Sequence, residues 1–264
     1  MVFKLQYVSN LFLDLHKRSD YKNIVRPICD NLVLLGNTCR IDTYESRQQM
    51  SSFLSYIENN WKQIYIVPGP WELSSSKQVS FRTTMNDLTL IHKDYPTITV
   101  LNNSSINIKN TDIQLIGSVF WTRHPFIKHQ CYYEFSSIYE KNKKTISGNN
   151  IAHWHLEDLE YIQTVAKYPY RSIVLTHHFP FVLPHLSFQN QRMISNNLEK
   201  IMKKPIEIWL CGAGDRSFTG SFGLLRDVFA GVNPFTTFNT FHLINENYDP
   251  EACISLRNNN PQLA

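Results

Sequence analysis

The sequence predicts a layered α/β domain, and three observations carry that prediction. Apolar runs of strand length recur along the chain, and most are continuous rather than alternating, the pattern of strands buried on both faces. Segments with helical apolar spacing lie between them. Each run ends in turn-forming residues, so strands alternate with helices as in a layered sheet domain.

Taken in order, the strands fall at Phe3 to Val8, Asn31 to Leu35, Gln63 to Val67, Ile113 to Ile116, Ser172 to Leu175 and Glu207 to Leu210. A helix over Ser46 to Trp61 puts Met50, Phe53, Leu54, Ile57 and Trp61 on one stripe. His155 to Ala166 does the same with Leu156, Leu159, Ile162 and Ala166, and Ser195 to Met202 with Leu198, Ile201 and Met202. From Gly220 onward the chain is rich in Phe, Thr and Asn and reads as short strands and turns. The organisation expected is one domain over residues 1–245, followed by a loosely packed polar tail over 246–264.

In open α/β sheets, ligand sites lie beyond the carboxyl ends of the strands. Five short segments occupy that position: Ser9-Asn10-Leu11-Phe12, Gly36-Asn37, Gly69-Pro70-Trp71-Glu72, Thr176-His177-His178 and Gly212-Ala213-Gly214-Asp215. Five loops therefore converge on one rim.

Composition narrows the function classes. Five cysteines (Cys29, Cys39, Cys131, Cys211, Cys253) without CxxC spacing fit free thiols in a reducing, intracellular setting better than a disulfide framework. The segment Val2 to Val8 carries one lysine and no cleavage pattern, and no run approaches a membrane span, so a protein without signal peptide or membrane partner is expected. A formal charge of +4 and the short clusters Lys141 to Lys144 and Lys203-Lys204 do not amount to a nucleic-acid footprint. Heavy use of Asn, Ile, Lys, Tyr and Phe is a bias of AT-rich genomes, including some protists and large DNA viruses.

The five segments resemble the motifs of the calcineurin-like metallophosphoesterases, above all their compact bacterial-type members. Those motifs run D-x-H, G-D, G-N-H-E, T-H-H or S-H-H, and G-H-x-H, each after a strand, and the likeness extends over about Phe3 to Phe235. It implies an α/β/β/α sandwich, two mixed sheets flanked by helices. In such enzymes two divalent metals share a bridging aspartate and a bridging hydroxide that attacks phosphorus. Carried over by position, Asn10 and Phe12 stand for the first aspartate and histidine, and Asn37 for the bridging aspartate. Pro70 replaces the ligand asparagine, Trp71 the histidine that protonates the leaving group, and Ala213 and Asp215 both histidines of the last motif. Of the expected metal ligands only His177 is unchanged, and Asp215 is the one substitution that could still ligate.

Hard divalent cations need anionic oxygen ligands to offset their desolvation, and zinc needs at least three protein donors. Without metal, a bound water is not a competent nucleophile near neutral pH. Neutral Asn10 and Asn37 retain the shape of the lost carboxylates while removing their mutual repulsion, whereas Phe12, Pro70 and Trp71 add bulk.

The sequence therefore points to a catalytically inactive metallophosphoesterase-like protein, with no catalytic residue, no cofactor and an unidentified protein partner. An intracellular or virion location goes with it. Two alternatives stay open. One is a phosphoesterase with a single weakly bound divalent metal on His177 and Asp215, helped by His178; the other is a nucleotide or nucleic-acid binder using Trp71, His178 and Arg216. Against these stand plainer readings: a strand-end histidine pair, an Asp215–Arg216 loop ion pair, and Trp71 as a plug. Asp14 and His16 have no evident duty without metal. Cys39 lacks the arginine of a cysteine-phosphatase loop, and Gly212-Ala213-Gly214 is too short a match for a dinucleotide loop.

Overall fold

The structure, a computed structural model, describes residues 2–16, 19–122, 133–181, 199–213, 219–222, 225–230 and 249–257. Among them the strands are β1 (Val2–Val8), β2 (Asn31–Leu35), β3 (Gln63–Val67), β4 (Ile98–Val100), β5 (Ser104–Asn107), β6 (Ile113–Ser118), β7 (Arg171–Thr176), β8 (Ile206–Cys211), β9 (Thr219–Phe222), β10 (Leu225–Ala230) and β11 (Cys253–Arg257). They form a five-stranded sheet in the order β11-β1-β2-β3-β4 and a six-stranded sheet in the order β5-β6-β7-β8-β10-β9. In the first, β1 to β4 are parallel and β11 is antiparallel; in the second, β6, β7, β8 and β10 are parallel with antiparallel β5 and β9 at the edges. Both sheets are mixed.

Side-chain alternation explains why the strands look uniformly apolar. Leu5, Val33, Leu35, Tyr65 and Val67 of the first sheet share a core with Leu115, Ile173, Leu175, Ile208 and Leu210 of the second. Their neighbours point the other way. Leu32, Leu34, Ile64 and Ile66 join a cluster with Met50, Phe53, Leu54 and Ile57, whereas Ile116, Val174 and Trp209 join Ile162 and Tyr161. Burial on both faces removes the polar alternation that a half-exposed strand shows. The layers are thus helix, sheet, sheet, helix.

The helices are α1 (Leu13–His16), α2 (Tyr21–Ile24), α3 (Tyr44–Glu58), α4 (Pro70–Leu73), α5 (Phe81–Thr89), α6 (Tyr133–Ser136) and α7 (Gly148–Val165). The two long ones start earlier than apolar spacing suggests because polar caps set their ends. Thr43 and Ser46 form a reciprocal capping box at α3, and Ser147 and Asn150 form one at α7. Of the helix expected over Ser195 to Met202, Glu199–Ile201 form a 3-10 turn, Met202 is buried just beyond it, and residues 195–198 lie outside the described residues. The short strands β4 and β5 had no strong apolar signature.

The loosely packed tail is corrected over residues 249–257. Strand β11 pairs along β1 from Val2 to Gln6, and Ile254 enters the core between the sheets. Buried Gln6 fixes the approach: its Nε2 donates to the carbonyls of Arg26 at 2.6 Å and Pro250 at 2.8 Å. The polar run Asn258 to Pro261 dominates the composition there but lies outside the described residues.

Ile254→Ala is expected to cost about 2–4 kcal/mol in urea unfolding, as for a buried aliphatic truncation. Ser255→Ala, on the exposed side of the same strand, should stay within about 0.5 kcal/mol of the parent.

Candidate functional site

The five segments meet directly, and backbone hydrogen bonds set their spacing. Asn10 N–H donates to the Gly36 carbonyl at 2.9 Å, Phe12 N–H to Asn37 at 2.9 Å, and Leu13 N–H to Thr38 at 2.8 Å. Gly212 and Ala213 N–H both donate to the His177 carbonyl, at 2.9 and 2.7 Å. The glycines make the approach possible. A Cβ on Gly212 would lie 1.9 Å from the Leu35 carbonyl oxygen, and one on Gly36, whose φ is +84°, would lie 2.5 Å from His177 Nδ1.

Two asparagines span the rim where carboxylates are expected. Both adopt left-handed backbone, φ +55° at Asn10 and +57° at Asn37, a region that Asn tolerates. Asn10 Nδ2 donates to the Gly212 carbonyl at 2.6 Å, joining the first segment to the last. Asn37 Oδ1 accepts the Trp71 N–H at 2.9 Å, joining the second to the third. At the position that the resemblance gives to the bridging aspartate, a neutral amide oxygen thus accepts a backbone N–H.

Glu72 sits beneath this contact, fully buried. Its Oε2 accepts N–H bonds from Asn37 at 2.9 Å and Gly69 at 2.8 Å, and its Oε1 accepts the Thr38 N–H. Burial pushes the carboxyl up, while those same backbone donors pull it down. One side chain therefore fixes two of the five loops.

Aromatic bulk occupies the outer part of the rim. Trp71 is 2% exposed, and Phe12 packs on it in an edge geometry, with ring centroids 5.4 Å apart at 79°. The Arg40 guanidinium lies 4.6 Å from the centre of the indole ring. Asp14 completes the unit: Oδ1 accepts the indole N–H at 2.9 Å and Oδ2 pairs with Arg40 Nε at 2.9 Å. Asp14 thus has a duty, one the sequence did not disclose, because Arg40 and Trp71 reach it only through the fold. His16 is buried on α1.

His177 and His178 directly follow β7, both 1% exposed. His177 Nδ1 bonds the Leu35 carbonyl at 2.7 Å, which assigns the proton to Nδ1 and leaves the Nε2 lone pair as the potential donor. Burial lowers its titration to about 4. His178 Nδ1 lies 3.3 Å from the Val119 carbonyl, its ring flanked by Trp121 and Phe135, and its buried Nε2 has no hydrogen-bond partner among the described residues. Burial, then neighbouring His177, lowers it as well.

An open binding face on Trp71 or His178 is therefore not what the structure presents: each ring is sealed by its neighbours. Asp215 and Arg216 lie outside the described residues, and Ala213 is half-buried beside His177. Among the described residues, no group of three or more His, Cys, Asp or Glu side chains is placed to hold a metal. The donors present do not fit a two-metal centre, since Asn37 Oδ1 is engaged and Phe12 and Trp71 fill the space beside it. In the sequence Glu72 stands only as the last residue of the third segment; its position three after Gly69, as the acid of a capping box, is the signal that marks its structural role.

No family model matches the chain. The phosphopantetheinyl hydrolase PptH of Mycobacterium tuberculosis superposes with a TM-score of 0.63 over 87% of this chain and 90% of that one, at 11% identity. The chain has a metallophosphoesterase-like fold. A second solved structure shares the fold with a TM-score of 0.51 at 17% identity, over 89% and 91% of the two chains. An uncharacterized protein of Acanthamoeba polyphaga mimivirus, L509, is 24% identical over 282 residues, 96% of each chain. On this fold, the metallophosphoesterase-like rim is built from amides, aromatic rings and one buried carboxylate.

Glu72→Ala strands three buried N–H groups and should cost about 3–5 kcal/mol in urea unfolding, with Glu72→Gln milder because its amide oxygen still accepts. His177 supplies a pH test. Its folded-state value of about 4 lies below the ordinary 6.5, so between them the unfolded chain holds the proton and the folded chain does not. Stability from this group is present above pH 6.5 and lost as pH falls toward 4, by up to about 3 kcal/mol. Asp158, pushed up to about 7 by burial, acts with the opposite sign. Comparing the wild type with His177→Asn across pH 4–7 therefore isolates the histidine, and the variant should lose its share of the acid slope.

Proposed function

We propose that this chain is a catalytically inactive metallophosphoesterase-like protein that works by binding a protein partner, as a subunit of a larger assembly. The observation that carries the reading is the bond from Trp71 N–H to Asn37 Oδ1, which ties up the position of the bridging metal ligand inside a rim packed by Phe12 and Trp71. Among the described residues no group of three or more His, Cys, Asp or Glu side chains is placed to hold a dication, and the rim's carboxylates, Glu72 and Asp14, are bonded to backbone N–H groups, the indole and Arg40. Similarity to a mimivirus protein along 96% of the chain supports an intracellular viral setting, in an infected cell or a virion. No described helix is long and apolar enough to cross a membrane.

A second reading keeps a single divalent metal on His177, His178 and Asp215. The unpartnered, buried Nε2 of His178 favours it, because a nitrogen lone pair without a donor is costly unless a ligand meets it. Nucleotide binding at Trp71 has no comparable support, since the indole is enclosed.

Elemental analysis of the purified chain, joined to hydrolysis of bis(p-nitrophenyl) phosphate with Mn, Zn, Mg or Ni added, separates the two. The proposal expects substoichiometric metal and no turnover above the metal-only blank. Stoichiometric metal with turnover abolished by His177→Ala would establish the single-metal enzyme instead.

A further inference from the structure

Two cysteines meet beside strand β1, away from the five rim segments in sequence. Cys29, in the turn before β2, and Cys253, the first residue of β11, are 224 positions apart in sequence, yet their sulfurs lie 3.9 Å from each other. Both are half-buried and both are free thiols. The contact is held from two sides: Arg26 N–H donates to the Pro250 carbonyl at 3.2 Å, and the Gln6 amide joins the same two segments. The sulfurs therefore approach on anchored backbone.

The geometry also differentiates the two thiols. The Cys253 sulfur lies 3.9 Å from Cys29 Sγ and 3.3 Å from the Ile254 carbonyl, while Cys29 Sγ lies 3.2 Å from the Asn31 carbonyl; the neighbouring Cys253 thiol holds the Cys29 titration below the ordinary thiol range. The same contact, followed by burial, pushes Cys253 up. Cys29 further lines a cavity of about 480 Å³ that Cys253 does not line. Lys4, Lys62 and Lys109 border the cavity against one acid, Asp30, so its charge is positive. Cys29 thus borders a cationic cavity and has a second thiol 3.9 Å from its sulfur.

We propose that Cys29 and Cys253 form a thiol–disulfide exchange site for a small anionic disulfide of the glutathione type, bound in the lysine-lined cavity. The Cys29 thiolate attacks one sulfur of the incoming disulfide; its S–S bond breaks, a mixed disulfide forms on Cys29, and one small thiol leaves with a proton. Cys253 then loses its proton and attacks the Cys29 sulfur, which closes the protein disulfide and releases the second small thiol. Two protein thiols are oxidised and one small disulfide is reduced to two thiols. The product would tie edge strand β11 covalently to the turn before β2, with the sulfurs closing from 3.9 Å to a bond of about 2 Å. Cys39 and Cys211 serve as internal controls, because burial pushes both thiols up and shields them.

The test treats the reduced full chain with oxidised glutathione and maps thiols by non-reducing digestion and mass spectrometry. Expected are a Cys29–Cys253 linked peptide in the wild type, a glutathione adduct on Cys29 in Cys253→Ser, and neither product in Cys29→Ser. Far-UV circular dichroism checks that each variant is folded, and brief alkylation of the untreated wild type should label Cys29 about tenfold faster than Cys253. Lys4→Gln with Lys109→Gln should slow the reaction with oxidised glutathione relative to neutral bis(2-hydroxyethyl) disulfide. Absence of the linked peptide, or alkylation of Cys253 as fast as Cys29, overturns the exchange site. An unchanged preference between the two disulfides in the lysine variant overturns the anionic ligand.

Discussion

The rim depends on one buried carboxylate. Glu72 accepts backbone N–H groups from Asn37, Thr38 and Gly69, which stand on two different loops and would otherwise be buried donors without acceptors. This fixes the orientation of the Asn37 backbone and the start of α4. Trp71, on the first turn of that helix, is then aimed where its N–H meets Asn37 Oδ1 and its indole meets Phe12, Arg40 and Asp14. Everything that closes the rim follows from the placement of that carboxylate.

A site that has merely lost its ligands would leave unpaired polar groups and voids. Here the replacements interact with one another. Left-handed backbone at residues 10 and 37 suits asparagine as well as aspartate, so the strand-end turns persist without the charge. Amide groups then supply what a carboxylate pair lacks, a donor, and Asn10 uses it to reach Gly212. Phe12 accepts left-handed backbone at φ +44°, an uncommon state for a bulky residue, and in exchange its ring covers Trp71. The metallophosphoesterase-like fold is kept, with Phe12 and Trp71 packed together at the strand ends.

Much of the architecture was legible in the sequence because buried strands and amphipathic helices have strong periodic signatures. Continuous apolar runs such as Asn31–Leu35 and Arg171–Thr176 mark strands covered on both faces, and the stripe through Met50, Phe53, Leu54 and Ile57 marks α3. Where the signature is weak, reading stopped: β4 and β5 are three and four residues long, with only partial burial. Strand β11 was hidden for another reason. Its pairing partner is β1, at the other end of the chain, and its core contribution rests on Ile254 amid polar neighbours.

The sequence by itself determined the layered α/β class, the order of the five strand-end segments and the neutral asparagines at positions 10 and 37. Those properties are local, carried by composition and periodicity. Only the tertiary structure decided what the segments do together: that Asn37 bonds Trp71, that Asp14 holds both the indole and Arg40, and that Glu72 binds two loops from below. The same holds for Cys29 and Cys253. Hydrogen bonds and sulfur contacts act over about 3–4 Å, whereas their partners lie tens to hundreds of residues apart, so no sequence window contains both ends.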